Sequence, residues 1–379
     1  MAVSKEQVLA ALTQVLAPGG EPLTKAGVLS DVVVSGEKVF FSITVDAATV
    51  QAWEPVRQRA EAAVKAVAGV SGAMVALTAE RSGGAARPAP PPAQPQARPH
   101  AHGQQGPGTA QPGIPGVDAI IAVASGKGGV GKSTTAVNLA LGLRDKGLKV
   151  GVLDADIYGP SLPKLLAIRE KPQTIGGNRL KPIERYGLTV MSIGFLVDEE
   201  TPMIWRGPMV MSAITQMLRE VEWGKLDVMV VDMPPGTGDA QLTMAQQVPL
   251  KGAVIVSTPQ DLALIDARRG VGMFKRVNVP VLGIVENMSY FLCPSCGTRS
   301  DIFGHGGAQK EAERLGVTFL GEVPLHMAIR ERSDAGLPVV ATEPDGAHAK
   351  IYRDIAARVF EQIKGGSAQR QAPKIVIEP

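Results

Sequence analysis

The sequence predicts a doubly wound α/β domain with a mostly parallel sheet, preceded by a small α+β domain. Three observations support this. After residue 116, short runs rich in β-branched residues alternate with helical stretches, as in sheets whose strands are buried on both faces. A glycine-rich loop lies between the first of these strands and the helix that follows it. A proline- and glycine-rich stretch separates this part of the chain from the first 81 residues.

The composition is that of an ordinary globular protein. Of the 379 residues, 45% are hydrophobic and 20% are charged, and the net charge is only +3. This small charge gives no reason to expect a nucleic-acid partner or an anionic membrane surface. The chain has no signal-peptide pattern and no apolar stretch near the ~20 residues of a spanning helix. We therefore expect a cytoplasmic protein.

The small domain, residues 1–81, has the order α-β-β-α-β. Its first helix has apolar residues at helical spacing and ends before Pro18. The domain has no cysteine and only common polar residues, which favours an interaction or docking role. The predicted elements are a helix over 5–16, strands over 28–34 and 38–45, a helix over 53–68 and a strand over 73–77.

Residues 82–116 form the predicted linker. They include nine prolines and seven glycines and no acidic residue. Such a segment buries too little apolar surface to offset the entropy of ordering it, so we expect the flanking domains to move independently. His100 and His102 lie within this segment, and two histidines in a solvated linker are more often incidental than metal ligands.

The large domain spans residues 117–364 and is followed by a tail over 365–379. Its helix over 347–364 has apolar residues at helical spacing, which favours packing in a core over a membrane contact. We predict strands over 120–124, 149–153, 188–193, 228–231, 253–257 and 281–285.

A phosphate-binding loop follows the strand over 120–124 and opens a helix predicted over 132–146. Its glycines let backbone N–H groups curl around a phosphate, and the helix N-terminus adds positive potential. Lys132 reaches the outer phosphates of ATP, and the Ser133 hydroxyl can bind Mg²⁺. The loop consists of Gly126, Lys127, Gly128, Gly129, Val130, Gly131, Lys132, Ser133 and Thr134.

Three aspartates lie at the carboxyl ends of predicted strands, where α/β nucleotide sites are formed. Asp154 and Asp156 follow one strand and Asp232 another. Such carboxylates can hold Mg²⁺ or orient an attacking water, although an aspartate after a strand is often only a helix cap. The proline- and glycine-rich segment over 233–238 predicts a loop that repositions when the γ-phosphate leaves.

Together, Lys127 in the loop and the segments over 154–161 and 232–239 make the chain resemble the Mrp/ApbC branch of the MinD/ParA-type ATPases. The resemblance runs from about residue 116 to residue 364. It implies a homodimer in which Lys127 reaches the phosphates bound by the partner chain, so that Lys127 and Lys132 both take part in hydrolysis.

The same resemblance implies roles for further polar residues. Asp156 would position the attacking water, and Asp154 and Asp232 would serve the Mg²⁺ region. Asn287, in the segment over 286–289, would contact adenine. The alternative for Asn287 is a turn residue after a strand.

The two cysteines, Cys293 and Cys296, have the spacing that brings two thiolates onto one ion. Tetrahedral Zn²⁺ and iron–sulfur clusters usually take four ligands, and the chain has no third cysteine. Two chains across a two-fold axis would supply four thiolates. The alternatives are a structural zinc completed by His305 or His326, and a dithiol redox pair.

The Mrp/ApbC resemblance favours the two-chain site. It implies a [4Fe–4S] cluster bridged between subunits and passed to apo-proteins, with ATP and Mg²⁺ as cofactors. The alternative function is a ParA/MinD-like positioning ATPase with zinc at the cysteines. The first 81 residues resemble a MIP18-like domain of iron–sulfur maturation proteins, but residues 45–50 lack the cysteine usual there, which favours docking.

Overall fold

The fold is described from a computed structural model. The chain divides into two compact units, Met1–Pro112 and Gly113–Pro379. Most of the predicted linker and nearly all of the predicted tail lie outside the described residues. The described residues are 3–30, 32–35, 37–46, 49–80, 113–176, 179–197 and 207–365.

The first unit is a three-stranded sheet with two helices. Strand β1 pairs antiparallel with β2, and β2 pairs parallel with β3. The first helix begins at Lys5 because Ser4 and Gln7 form a capping box that satisfies free N–H groups. The core includes Leu12, Phe41 and Ile43, each fully buried. The elements are α1 Lys5–Thr13, β1 Val33–Ser35, β2 Lys38–Asp46, α2 Val50–Lys65 and β3 Gly72–Glu80.

The strand predicted over 28–34 is wrong in its first half, because a side chain takes part in the pairing there. The Ser42 N–H donates to the Ser30 hydroxyl at 2.7 Å, whereas the Ser30 N–H donates to the Ser42 carbonyl at 2.8 Å. The hydroxyl thus replaces a backbone acceptor and interrupts the ladder. Continuous pairing with β2 is therefore limited to β1, and the earlier segment keeps one isolated antiparallel bridge, from Leu29 to Ile43.

The second unit contains one nine-stranded sheet. Its strands and helices alternate along most of the chain. In chain order they are β4 Ile120–Ala124, α3 Lys132–Arg144, β5 Val150–Asp154, α4 Leu162–Leu165, β6 Ile183–Arg185, β7 Leu188–Ser192, α5 Gly207–Arg219, β8 Val228–Asp232, α6 Asp239–Gln247, β9 Gly252–Ser257, α7 Asp261–Arg276, β10 Val281–Leu292, β11 Arg299–Ser300, α8 Gly307–Leu315, β12 Phe319–Leu325, α9 Met327–Ala335, α10 Val339–Thr342 and α11 Ala347–Gly365, with a 3₁₀ turn at Ile193–Phe195.

The strand order is β11-β10-β9-β4-β8-β5-β7-β6, and β12 pairs with β10. Pairing is parallel except where β6 meets β7 and β11 meets β10. Every residue of β4, β5 and β8 is buried, as strands covered on both faces require. The predicted doubly wound, mostly parallel sheet is confirmed.

Several features of the sheet differ from the sequence prediction, including two short antiparallel strands, β6 and β11, that were not predicted. β10 continues to Leu292, beyond the predicted residue 285. Its second half was not predicted because buried polar residues interrupt the apolar pattern there. β12, which pairs parallel with β10, was not predicted, since Gly321 and Pro324 break its apolar pattern. Within the described residues, no helix is long and apolar enough to cross a membrane.

Candidate functional site

The glycine-rich loop connects β4 to α3 at the carboxyl edge of the sheet. Gly129 and Gly131 have φ of +79° and +80°, a conformation that glycine adopts most readily. An added Cβ at Gly129 would meet nothing within 4 Å, which leaves the loop surface open to a ligand. The Ser125 hydroxyl donates to the Lys127 carbonyl at 2.9 Å and braces the turn. The loop is thus a concave row of backbone N–H groups, suited to phosphate oxygens.

Lys132 lies at the centre of this site and is only 6% exposed. Its Nζ is 2.6 Å from Asp232 Oδ1, 3.1 Å from Ser133 Oγ and 3.8 Å from Asp156 Oδ2. The structure therefore brings together four of the residues predicted for phosphate and Mg²⁺ chemistry. One ammonium faces two carboxylates here, so the site can accept a further cation.

The carboxylates are held close by the register of β5 and β8, which aligns Asp154 with Asp232. Burial and the charge of Asp232 raise the pKa of Asp154 to about 7. Burial also raises the pKa of Asp156. Asp232 Oδ2 is buried and has no hydrogen-bond partner among the described residues. An orphaned carboxylate oxygen beside a phosphate loop fits Mg²⁺ or a water of its shell.

Asp154 holds the loop that carries Asp156. Its Oδ1 accepts from the Asp156 N–H at 3.1 Å, and its Oδ2 accepts from the N–H groups of Ser161 and Leu162 and from the Ser192 hydroxyl. Both oxygens are thus used within the protein. This arrangement makes Asp154 a positioning residue for Asp156.

The segment after β8, predicted to be a switch loop, contacts the start of the phosphate loop. The Gly236 N–H donates to the Ser125 carbonyl at 2.9 Å, and Gly236 has φ of +105°. The Gln241 side-chain amide donates to the Pro235 carbonyl. This loop is therefore bonded to the residue that precedes the phosphate loop, and its switch role stays a prediction.

Asn287 connects β10 to the phosphate loop. Its Nδ2 donates to the Val130 carbonyl at 2.8 Å, and the residue is 7% exposed. The predicted alternative, a turn residue after a strand, is wrong, because Asn287 lies inside β10. Its Oδ1 is left for a ligand, although the predicted adenine contact stays a prediction.

The cysteines lie on the hairpin between β10 and β11. The Cys293 N–H donates to the Thr298 carbonyl at 3.0 Å, and the Gly297 N–H donates to the Cys293 carbonyl at 2.8 Å. Both thiols are free, and Cys296 is exposed. Cys296 Sγ lies 3.1 Å from the Thr298 hydroxyl, which lowers the pKa of this thiol. The hairpin presents two thiols at the protein surface, and the pKa of the exposed one is lowered.

Neither histidine considered as a zinc ligand completes this pair. His305 Nδ1 lies 2.7 Å from an Arg299 guanidinium nitrogen. His326 Nδ1 accepts from the Ala328 N–H at 3.1 Å, and its ring centre lies 4.4 Å from that of His348. Among the residues that the structure describes, neither cysteine belongs to a group of three potential metal ligands. The described part of one chain therefore offers two thiolates and no third ligand.

Lys127 is half-buried, and its side chain makes no ion pair with any described residue. The preceding Gly126 packs against the backbone of Asp266 in α7, so closely that a Cβ would not fit. This contact fixes the backbone on which Lys127 is carried. The Lys127 ammonium is consequently available to a group from outside the described chain.

Two residues that brace the phosphate-side loops and one buried residue beside Asn287 were not predicted from the sequence. Ser125 and Gln241 brace the two phosphate-side loops, and Glu286, fully buried, precedes Asn287 in β10. The signal for Glu286 was a charged residue inside an apolar strand, which is rare without a partner. Ser125 and Gln241 gave no signal that separates them from ordinary loop residues.

Comparison with known protein families gives two matches. Residues 116–360 match the family described as NUBPL iron-transfer P-loop NTPase. Residues 5–76 match the family described as iron–sulfur cluster assembly protein. Each match falls within one of the two units of the chain.

Individual proteins are also similar. The iron–sulfur cluster carrier protein of Escherichia coli K12 is 56% identical over 254 residues, 67% of this chain and 69% of that protein. The mouse iron–sulfur cluster transfer protein NUBPL is 56% identical over 253 residues, 66% of this chain and 79% of its own. A nucleotide-binding protein of Archaeoglobus fulgidus, solved with ADP, has 40% identity and a TM-score of 0.54, covering 62% of this chain and 91% of that chain.

Proposed function

Since the chain belongs to the family of NUBPL iron-transfer P-loop NTPases, we propose that two copies of it together hold a [4Fe–4S] cluster between their cysteines. Family membership confirms the predicted resemblance and the predicted carrier function: the protein is an ATPase that carries iron–sulfur clusters to recipient proteins. The cluster is its cargo. The homodimer, the cluster type and the site residues are parts of the proposal.

The exposed cysteine hairpin is the observation that carries this proposal. Cys293 and Cys296 are free, and the described chain provides no third ligand. A [4Fe–4S] cluster takes four thiolates, so two hairpins related by a two-fold axis would complete the site. An exposed, two-thiolate half-site also suits a cluster that must be released to another protein.

ATP and Mg²⁺ fit the phosphate site. The loop glycines, Lys132 and Ser133 would hold the phosphates, and Asp232 with Ser133 would hold the metal ion. The buried, partnerless Asp232 Oδ2 supports this assignment. Bound Mg²⁺ would supply positive charge at the phosphate oxygens. Asp156, held by Asp154, would orient the attacking water.

Lys127 would complete the nucleotide site of the partner subunit. Its side chain has no ion-pair partner within the described chain, and its backbone is braced by Ser125. A second ammonium at the phosphates would offset charge that develops during phosphoryl transfer. Hydrolysis would then require the dimer.

Coupling between hydrolysis and cargo would run through β10. The strand carries Asn287, which is bonded to the phosphate loop, and ends immediately before Cys293. A shift of the phosphate loop would therefore move the base of the cysteine hairpin. Nucleotide state would control how firmly two hairpins close on the cluster.

Anaerobic reconstitution with iron and sulfide, followed by mass measurement in solution, tests the proposal. We expect thiol-dependent iron–sulfur absorption, about four irons per dimer, and a dimer mass for the loaded protein. The variant Cys293→Ser/Cys296→Ser should lose all three. A loaded monomer, or absorption that persists without the thiols, would contradict the two-chain site.

The alternative is a positioning ATPase with structural zinc at the cysteines. Natively purified protein should then hold zinc that resists iron reconstitution.

For the small domain we propose docking of recipient or donor proteins, since residues 5–76 match an iron–sulfur assembly family and have no cysteine. The predicted domain boundaries and the cytoplasmic location stay predictions.

A further inference from the structure

Three potential metal ligands converge beside the cysteine hairpin. One ligand atom from each of Glu286, His305 and Glu322 lies within 4.8 Å of the other two. Glu286 belongs to β10, Glu322 belongs to β12, and His305 lies just before α8. None of the three has a part in the nucleotide site or in the thiolate site.

The two glutamates face each other in neighbouring strands. The parallel register of β10 and β12 pairs Glu286 with Glu322. Glu286 is fully buried, and the Glu322 side chain is 23% exposed. Like charges directly opposite one another destabilise a sheet, and a buried charge requires an opposite charge or a coordinated metal. The two carboxylates therefore need a cation to balance their charge.

The protein cations near this pair do not balance it. The Glu286 oxygens accept from the Ser289 hydroxyl and the Ala308 N–H, each at 2.6 Å, and both donors are neutral. Within the described residues Glu286 forms no ion pair. The first turn of α8, which contains Ala308, contributes only a partial positive charge.

Arg299 is the cation closest to the cluster. One of its guanidinium nitrogens lies 3.8 Å from Glu322 Oε2, and another lies 3.0 Å from Asp301 Oδ1. Among these side chains, three carboxylates (Glu286, Glu322 and Asp301) against one guanidinium leave two negative charges. A divalent cation would neutralise them.

The ligand atoms have the capacity to bind such an ion. Each Glu286 oxygen accepts one hydrogen bond and keeps a second lone pair. His305 is half exposed, so the ligands run from the interior to the surface and leave a path from solvent. Two carboxylates and an imidazole suit Fe²⁺, Co²⁺ or Zn²⁺. The Arg299 guanidinium, 2.7 Å from His305 Nδ1, already lies against these ligands as a competing cation.

We infer that Glu286, His305 and Glu322 form a binding site for one divalent first-row transition ion, separate from the cysteine thiolates. The ion would connect β10, β12 and the start of α8. It binds whether or not the cysteines carry a cluster, so the inference does not depend on the two-chain site.

Titration with CoCl₂, followed by calorimetry and visible absorption, tests this site. The full chain carries Cys293→Ser/Cys296→Ser and His100→Ala/His102→Ala, so that thiolates and linker histidines cannot bind the probe, and excess Mg²⁺–ADP fills the nucleotide site. We expect one Co²⁺ per chain, with displacement by Zn²⁺. His305→Ala and Glu322→Gln should each weaken binding by about tenfold or more.

Two further variants test which residues bind the ion. Arg299→Ala removes the competing guanidinium and should tighten Co²⁺ binding. His348→Ala is the matched control and should leave the isotherm unchanged, since this histidine of α11 packs against the His326 ring and does not belong to the Glu286, His305 and Glu322 group. Equal isotherms for the parent and His305→Ala, or loss of binding in His348→Ala, would overturn the inference. A negative result leaves the carrier function intact, because cluster loading is measured on the unmodified thiols.

Discussion

Asn287 Nδ2 donates to the Val130 carbonyl at 2.8 Å, and this single bond joins the strand that leads to the cysteines to the loop that binds phosphate. The two residues lie on different elements of the sheet edge. Val130 lies two positions before Lys132, the first residue of α3, and Asn287 lies in the second half of β10. The bond therefore connects the proposed nucleotide site to the strand that precedes the cysteines.

Asn287→Ala should uncouple cluster release from nucleotide. The Val130 carbonyl loses its donor, which costs on the order of 1–3 kcal/mol at a buried site and loosens the loop. We expect cluster content to be retained but the effect of ATP on cluster transfer to an apo-ferredoxin to disappear, as followed by circular dichroism.

Asn138→Ala is the matched control. Asn138 also bonds the backbone near the loop, through the Thr134 carbonyl at 2.9 Å and the Val340 N–H at 3.2 Å, but it lies in α3 and does not touch β10. This variant should lose stability yet keep the ATP effect. If both variants transfer alike, the connection through β10 is wrong.

Gly131→Ala should abolish ADP binding. Gly131 has φ of +80°, and a Cβ there would collide with the Asn287 side chain. Gly147→Ala is the control: its φ of +85° carries the same strain of about 1–2 kcal/mol, but a Cβ there meets nothing within 4 Å. We expect a larger loss of thermal stability in Gly131→Ala, because the Asn287 amide is displaced there, and a loss of ADP affinity, measured by calorimetry, only in Gly131→Ala. Equal ADP affinity in the two variants would contradict the collision.

The nucleotide-free protein should become less stable between pH 5.5 and pH 7.5 because of Asp154. Its pKa is raised from 3.8 to about 7 in the folded state, so the folded protein holds this proton more tightly than the unfolded chain. The stabilisation is complete below the unfolded pKa and is lost as the pH rises through the folded pKa. Over this range the loss is on the order of 1–2 kcal/mol.

Urea unfolding at several pH values measures this effect. The readout is the slope of stability against pH, because Asp154→Asn also removes hydrogen bonds and shifts the absolute stability. The difference in slope between parent and variant should show the parent losing stability faster as the pH rises. Burial lowers the pKa of His348, so this residue contributes stability that increases as the pH rises. Its contribution is common to the parent and the variant. Parallel slopes would contradict the raised pKa.

Thr298→Val should make Cys296 less reactive in the cluster-free protein. The Thr298 hydroxyl, 3.1 Å from Cys296 Sγ, is the first cause of the lowered pKa of this thiol. Without it, the midpoint of the pH–rate profile for iodoacetamide should move to higher pH. Thr298→Ser keeps the hydroxyl and should behave as the parent. An unchanged midpoint in Thr298→Val would assign the lowered pKa to the hairpin backbone.

The phosphate site could be predicted from sequence because its parts are local. The spacing from Gly126 to Thr134 fixes the loop, and Asp154 and Asp232 end strands whose apolar pattern is continuous. The cysteine pair was equally visible. The contacts that organise these parts could not be predicted, since the bond from Asn287 to Val130 joins residues far apart in the chain.

The missed elements share a physical reason. β10 buries Glu286 and Asn287. Because buried polar residues are rare without partners, these two residues predict the end of a strand. Apart from Ser289 in β10 itself, their partners, including Ala308 at the start of α8, come from other elements. β12 was not predicted because Gly321 and Pro324 interrupt its apolar pattern. Tertiary contacts decide such positions, and no local pattern reports them.

Mixing two inactive variants tests whether Lys127 acts in the partner subunit. Lys127→Ala retains Lys132 and should bind ATP without hydrolysing it, whereas Lys132→Ala loses the ammonium that lies 2.6 Å from Asp232 Oδ1. In a mixed dimer, the intact Lys127 of the Lys132→Ala chain faces the ATP bound by the Lys127→Ala chain. One complete site is thereby restored.

Random exchange makes about half of the dimers mixed, each with one of two sites active, so the mixture should recover roughly a quarter of wild-type turnover. Each variant alone should show almost none, and ADP calorimetry should report near-normal binding for Lys127→Ala. A mixture that stays inactive after verified subunit exchange would mean that Lys127 acts within its own chain. Recovery requires a dimer with Lys127 reaching across it, because neither chain supplies both ammonium groups to its own nucleotide.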